Sequence, residues 1–114
     1  MPLPELIQQM VQRKLEDFCE ERIPAQLRNK VRLGFRFRGN SVTLYEERPH
    51  FIYPERWVDI VIAQFRYDVK SGKWTLYCAD RNSRWRLYYF VEPTKNFDLL
   101  LQEVSKDPTC IFWG

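Results

Sequence analysis

Apolar residues recur along this chain first with a helical period, then with the alternation of strands, then with a helical period again. Leu3, Leu6, Ile7, Met10, Val11, Leu15 and Phe18 fall three or four apart, which places them on one stripe of a helix. Pro4 suits the first turn, where its missing N–H would have no helical partner. Pro24 pushes the residue before it out of the helical region and ends the helix near Arg22. Glu5, Arg13, Glu16, Asp17 and Glu20 lie opposite the stripe as a solvated face, so the stripe is read as core.

Residues 23–30 form a connection, after which the period becomes two. Val31, Leu33, Phe35 and Phe37 point one way, and Arg32, Arg36 and Arg38 the other. Gly39-Asn40 is a hairpin dipeptide that pairs Phe37 with Val42 and Phe35 with Leu44. Residues 48–57, with two prolines, three aromatics and the only histidine, break the alternation. They predict an irregular loop that covers a sheet edge or contributes to a binding site.

Two more hairpins follow over residues 60–91. With Ser71-Gly72 as a turn, Val69 opposes Trp74, Tyr67 opposes Leu76 and Phe65 opposes Cys78. With Arg81-Asn82 as the next turn, Cys78 opposes Trp85, Leu76 opposes Leu87 and Trp74 opposes Tyr89. Pro93 ends the last strand. Asn96 is placed to cap a short helix with Phe97, Leu100, Leu101 and Val104 inward and Asp98 in its first turn. Pro108 stops it, and the apolar tail Cys110–Gly114 is predicted to pack on the sheet or first helix, or to dock into a second copy.

These elements predict a single α+β domain over residues 1–114. It is a two-layer sandwich: a five-stranded antiparallel meander, order 1-2-3-4-5, with an N-terminal and a C-terminal helix on its apolar face. At 114 residues such a domain buries roughly two-thirds of its unfolded surface.

The net charge of +3 does not by itself imply a nucleic-acid partner, but its distribution is uneven. Six basic residues and no acid lie between Arg22 and Tyr45, and Arg81, Arg84 and Arg86 form a second acid-free run. Twelve Arg against six Lys favour planar, bidentate grips on phosphate or carboxylate and stacking on rings; codon bias is the plain alternative. Cys19, Cys78 and Cys110 show neither a disulfide framework nor zinc-ligand spacing, so no metal or cofactor is expected. No signal peptide or membrane-length apolar run is present, which points to the cytoplasm and no membrane partner.

Under these registers the polar face carries a row Arg66–Tyr77–Arg86, with Arg84, Arg32, Arg36 and Arg38 around it. Guanidinium groups beside tyrosine rings suit an anionic ligand or nucleic acid, and a non-enzymatic binding module of this kind is the first reading. A solvated face of cross-strand pairs, such as Arg32 with Glu47, is the plain alternative. The second reading is a self-associating or protein-interaction module, possible as a homodimer, using Phe51, Tyr53 and Trp57 with Phe112 and Trp113. The third is a small enzyme around His50, Glu47 and Arg48. Glu46 and Glu47 point to opposite faces of a strand and cannot pair as acid and base, and no catalytic motif is present, so no catalytic residue is assigned.

Several segments also resemble one known family. They are Arg22-Ile23-Pro24, Glu46-Glu47-Arg48-Pro49, Lys73-Trp74, the Trp85–Tyr88 stretch and the closing Cys110-Ile111-Phe112-Trp113-Gly114. Over nearly its whole length the chain is similar to a family of small, mostly bacterial proteins of about 110 residues, classed as a domain of unknown function. The resemblance implies a bacterial source and carries no catalytic or binding residues with it.

Overall fold

The computed structural model describes residues 3–113; Gly114, the last residue of the apolar tail, lies outside them. Helix α1 spans Glu5–Arg22, and a short 3-10 turn follows at Ala25–Leu27. Strands β1 (Arg32–Arg38), β2 (Ser41–Pro49), β3 (Trp57–Asp68), β4 (Lys73–Ala79) and β5 (Trp85–Leu87) form one antiparallel sheet in the order β1-β2-β3-β4-β5. Helix α2 spans Phe97–Lys106 and is capped as its sequence predicts, the Asn96 side chain accepting from the Asp98 N–H. Both helices contribute to one core with the apolar sheet face, so the two-layer α+β sandwich with an open second face is the observed fold.

The β1–β2 register follows the alternation, with Phe37 opposite Val42 and Phe35 opposite Leu44. Gly39 takes φ 58° at the first central position of this two-residue turn, where a side chain would be strained. Hairpin β3–β4 differs from the expected pairing by two positions. Tyr67 opposes Trp74 and Phe65 opposes Leu76, because Val69–Gly72 form a four-residue loop. Asp68 organises that loop, accepting from the Lys70 N–H and the Ser71 hydroxyl, and Gly72 sits at φ 70°. A slip of two leaves every side chain on its expected face, although Val69 is left in solvent.

Hairpin β4–β5 differs by one position, and the faces of β5 therefore invert. The loop is Arg81-Asn82-Ser83, closed by the Asp80 N–H to the Arg84 carbonyl, with Ser83 at φ 60°. Asp80 Oδ1 accepts from the N–H groups of Asn82 and Arg84 and fixes the extra residue. Tyr77 consequently opposes Leu87, Cys78 opposes Arg86 and Ala79 opposes Trp85. Trp85, Leu87 and Tyr89, expected in the core, leave it. Tyr88, which alternates with Leu87 and Tyr89 and so falls on the polar face under the expected register, is only 1% exposed and packs on Phe112, its hydroxyl donating to Glu103.

A second shift lies in β3, where Leu44 faces Ala63 but Tyr45 faces Val61. The extra residue, Ile62, forms a β-bulge inside the unbroken apolar run Ile60–Ala63. It carries Val61, Asp59 and Trp57 onto the open face beside Tyr45, Glu47 and Pro49.

The core is centred on aromatic contacts between sheet and α2. Phe97 packs on Phe65 and Trp74 with ring centroids 4.8 and 4.9 Å apart. Val11 and Leu15 of α1 are fully buried against the same face, with Ile7 and Phe18 partly so. Leu6 and Met10, at the flank of the predicted stripe, remain exposed. The tail is held inward: Asp107 accepts from the Phe112 and Trp113 N–H groups, Trp113 Nε1 donates to the Val104 carbonyl, and Arg22 lies 4.1 Å over the Trp113 ring.

Gly34 lies opposite Tyr45, whose ring covers it so closely that a Cβ would come within 2.7 Å of ring atoms. Gly34→Ala is expected to destabilise the domain by about 1–3 kcal/mol in urea unfolding, because the ring must move. In a Tyr45→Thr background the same change should be neutral or stabilising, since only the strand preference for Ala over Gly remains.

Candidate functional site

The open sheet face is built from register rows that cross the strands. One row reads Arg36, Thr43, Gln64, Tyr77, Leu87. Beside it runs Arg38, Ser41, Arg66, Thr75. On the other side, past the bulge, come Gly34, Tyr45 and Val61, with the pair Ala79 and Trp85 completing the face.

Arg66 is fixed from two directions. Its Nε donates to Gln64 Oε1 at 2.7 Å, and its guanidinium carbon stands 3.8 Å from the Tyr77 ring centroid. The Arg66–Tyr77 contact is diagonal rather than directly cross-strand, which is why it forms despite the shifted register. Gln64 passes the network on, its Nε2 donating to Thr43 Oγ1 at 3.0 Å. Arg38 stands two strands away on the row of Arg66, across the small Ser41, whose hydroxyl donates to the Arg38 carbonyl. Among the described residues neither Arg38 nor Arg66 has a carboxylate partner.

The far end of the face has the opposite character. Glu47 and Asp59 oppose each other directly, and Arg36 reaches back to Asp59 at 3.3 Å while lying 4.8 Å over the Tyr45 ring. Burial, then Glu47 and Asp59, push the Tyr45 hydroxyl above its ordinary pKa. Arg32 lies 4.1 Å over Trp57 and donates to the Arg28 carbonyl. The face is thus polarised, with free guanidinium groups at one end and self-paired charges at the other.

Arg86 does not belong to this surface. It shares the opposite side of the sheet with Cys78 and pairs with Asp80 at 3.1 Å. The N–H groups of Arg84 and Asn82, helped by Arg86, hold the Asp80 carboxyl below its usual range. Arg84 pairs with Asp80 at the turn rather than with Ala79, so the expected Arg66–Tyr77–Arg86 row ends at Leu87. Alternation with Val42 and Leu44 already puts Thr43 on this face; sequence reasoning did not single out Thr43 or Gln64 as site residues and placed Trp85 in the core. The uninterrupted Ile60–Ala63 run, too apolar for an open strand, is the available sign of the bulge that puts Val61 on this face.

Between β1 and Trp85 the face sinks into a concavity of about 340 Å³, lined by Arg36, Phe37 and Arg38 of β1 with Thr43, Val61, Gln64 and Trp85. His50 is not among its lining residues. Its Nδ1 accepts from the Ile52 and Tyr53 N–H groups, which commits it to shaping the loop over residues 50–56. Glu46 and Arg48 pair with each other on the other side of β2. The loop projects from the sheet instead of covering an edge, with Phe51 88% exposed and Ile52 and Tyr53 more than half exposed. Phe112 is buried and Trp113 half-buried in the tail contacts already described.

No three of His, Cys, Asp and Glu come together as a metal site among the described residues, and no described helix is long and apolar enough to cross a membrane. The three cysteines are free thiols. Burial pushes Cys19 up to about 11 and raises Cys78 as well, while Cys110 is exposed. A thiol-directed reagent at pH 8 is therefore expected to label one fast site, Cys110, and to reach Cys19 and Cys78 only after denaturation; peptide mapping of the labelled chain checks this.

A family model described as "Domain of unknown function (DUF3024)" matches residues 3–114. No curated protein and no solved structure matches the chain.

Proposed function

The chain belongs to the DUF3024 domain family, and from that premise we propose that it is a non-enzymatic binding module whose open sheet face takes an anionic ligand, nucleic acid above all. The observation that carries this reading is the pair Arg38 and Arg66. They flank Ser41 in one register row, roughly 10 Å apart at the backbone, and have no carboxylate partner among the described residues. Two guanidinium groups at that separation can converge on one phosphate, and an unneutralised pair on a sheet lacks the compensation that solvated faces normally carry. The Tyr77 ring orients Arg66. A reducing, bacterial cytoplasmic setting fits three free thiols and the family resemblance.

Log affinity for DNA is expected to fall linearly with log salt. Replacing both Arg38 and Arg66 by Ala should lower that slope by about two. Arg86→Ala should leave it unchanged, since Arg86 lies on the opposite side of the sheet and is already paired with Asp80. Retention on DNA or heparin at low salt equal to that of a neutral control would overturn the reading.

A second reading, self-association, is favoured by one observation, the exposure of Phe51, Ile52 and Tyr53 at the tip of the β2–β3 arm. Phe112 and Trp113 are engaged within the fold and drop out of it. If the tip is an interface, sedimentation will show a concentration-dependent dimer that Phe51→Ser abolishes; a monomer at all concentrations removes this reading.

A further inference from the structure

The geometry points to single-stranded nucleic acid as the ligand, with an unstacked base seated in the concavity against Trp85. This inference rests on the proposed anion-binding role of the same face and names its ligand.

The one-residue inversion of β5 is what places an indole there. Trp85 stands opposite Ala79, and Val61, carried onto the open face by the bulge, lines the same concavity. Small side chains on the two neighbouring strands leave room beside the half-buried indole, and the concavity of about 340 Å³ is that room. Its other lining residues are Phe37, Arg38, Thr43, Gln64 and Arg36, the last already paired with Asp59. A planar group lying against Trp85 would thus meet the Arg38 cation and the Gln64 amide.

Gln64 is suited to a base edge. Its Oε1 already accepts from Arg66 Nε and its Nε2 already donates to Thr43, so the amide orientation is fixed by its neighbours. Each of those atoms retains one further hydrogen-bonding position, a donor and an acceptor side by side. Leu87, beside Tyr77 on the same face, is substantially exposed and adds an apolar surface that a bare polyanion cannot use. A duplex hides its base faces and a sulfated polysaccharide has none. A single strand offers both a phosphate for Arg38 and Arg66 and a ring for Trp85.

The test uses the whole chain with three probes at one salt concentration: a short oligothymidylate, a duplex of equal length, and heparin. The expected result is quenching of tryptophan fluorescence by the oligothymidylate, with affinity at least about tenfold above that for the duplex. Trp85→Leu should lose the quench and about tenfold in affinity for the single strand, with heparin retention unchanged. Trp85→Phe, which keeps a stacking ring, should restore most of that affinity without the Trp85 signal. Circular dichroism matching the parent establishes that both variants fold; if Trp85→Leu does not, the Phe variant and the parent's single-strand preference decide. Equal affinity for all three probes would overturn the single-strand assignment and leave the anion-binding face standing. Binding to none of them would overturn both.

Discussion

Side chains in this sheet alternate with a period of two, so the number of residues in each connection decides which side chains become core. Every other feature depends on that parity. The two-residue turn at Gly39-Asn40 and the four-residue loop at Val69–Gly72 both keep Phe35, Phe37, Phe65, Tyr67, Trp74 and Leu76 on the helix-covered side. The three-residue loop at Arg81–Ser83 changes the sign, burying Tyr88 and presenting Trp85 and Leu87 to the open face. Asp80 holds that loop with a single carboxylate that accepts from two backbone N–H groups and pairs with Arg86.

The bulge at Ile62 has a similar effect within a strand. It lets one apolar run serve both layers, with Ile62 and Ala63 in the core and Val61 on the open face. Together the bulge and the odd loop make a hollow between β1 and β5 where a regular meander would have presented rows of long side chains. The charge on the face is then divided by cross-strand neighbours. Near the β2–β3 arm Arg36 answers Asp59, while among the described residues Arg38 and Arg66, on either side of Ser41, have no carboxylate partner. That division gives the surface a direction, with unneutralised cations at one end and an indole beside them.

Much of the architecture was legible from residue spacing. The α1 stripe, the Gly39-Asn40 hairpin, the Asn96 cap and the strand order follow from periodicity and local chemistry, which need no distant partner to be expressed. Part of the site was legible for the same reason. Arg66 and Tyr77 share a face under either register of β3 and β4, because the two registers differ by an even number. Arg38 likewise follows from the first hairpin. Arg86, Arg84 and Trp85 could not be placed that way. Their positions turn on Ser83 adopting a left-handed backbone, which glycine would have advertised and serine does not.

The sequence by itself therefore determined the kinds and order of elements, the apolar layer beneath them and an arginine-rich opposite face, because these depend on periods of 3.6 and 2 that local chemistry sets. Tertiary structure decided which arginines stand unpaired, that Trp85 rather than Arg86 joins them, and that Phe112 and Trp113 close the core. Those outcomes depend on loop parity, on one bulge and on the docking of Tyr88 against the tail. Each is a choice between local conformations of similar energy, and the best burial of the whole domain makes that choice.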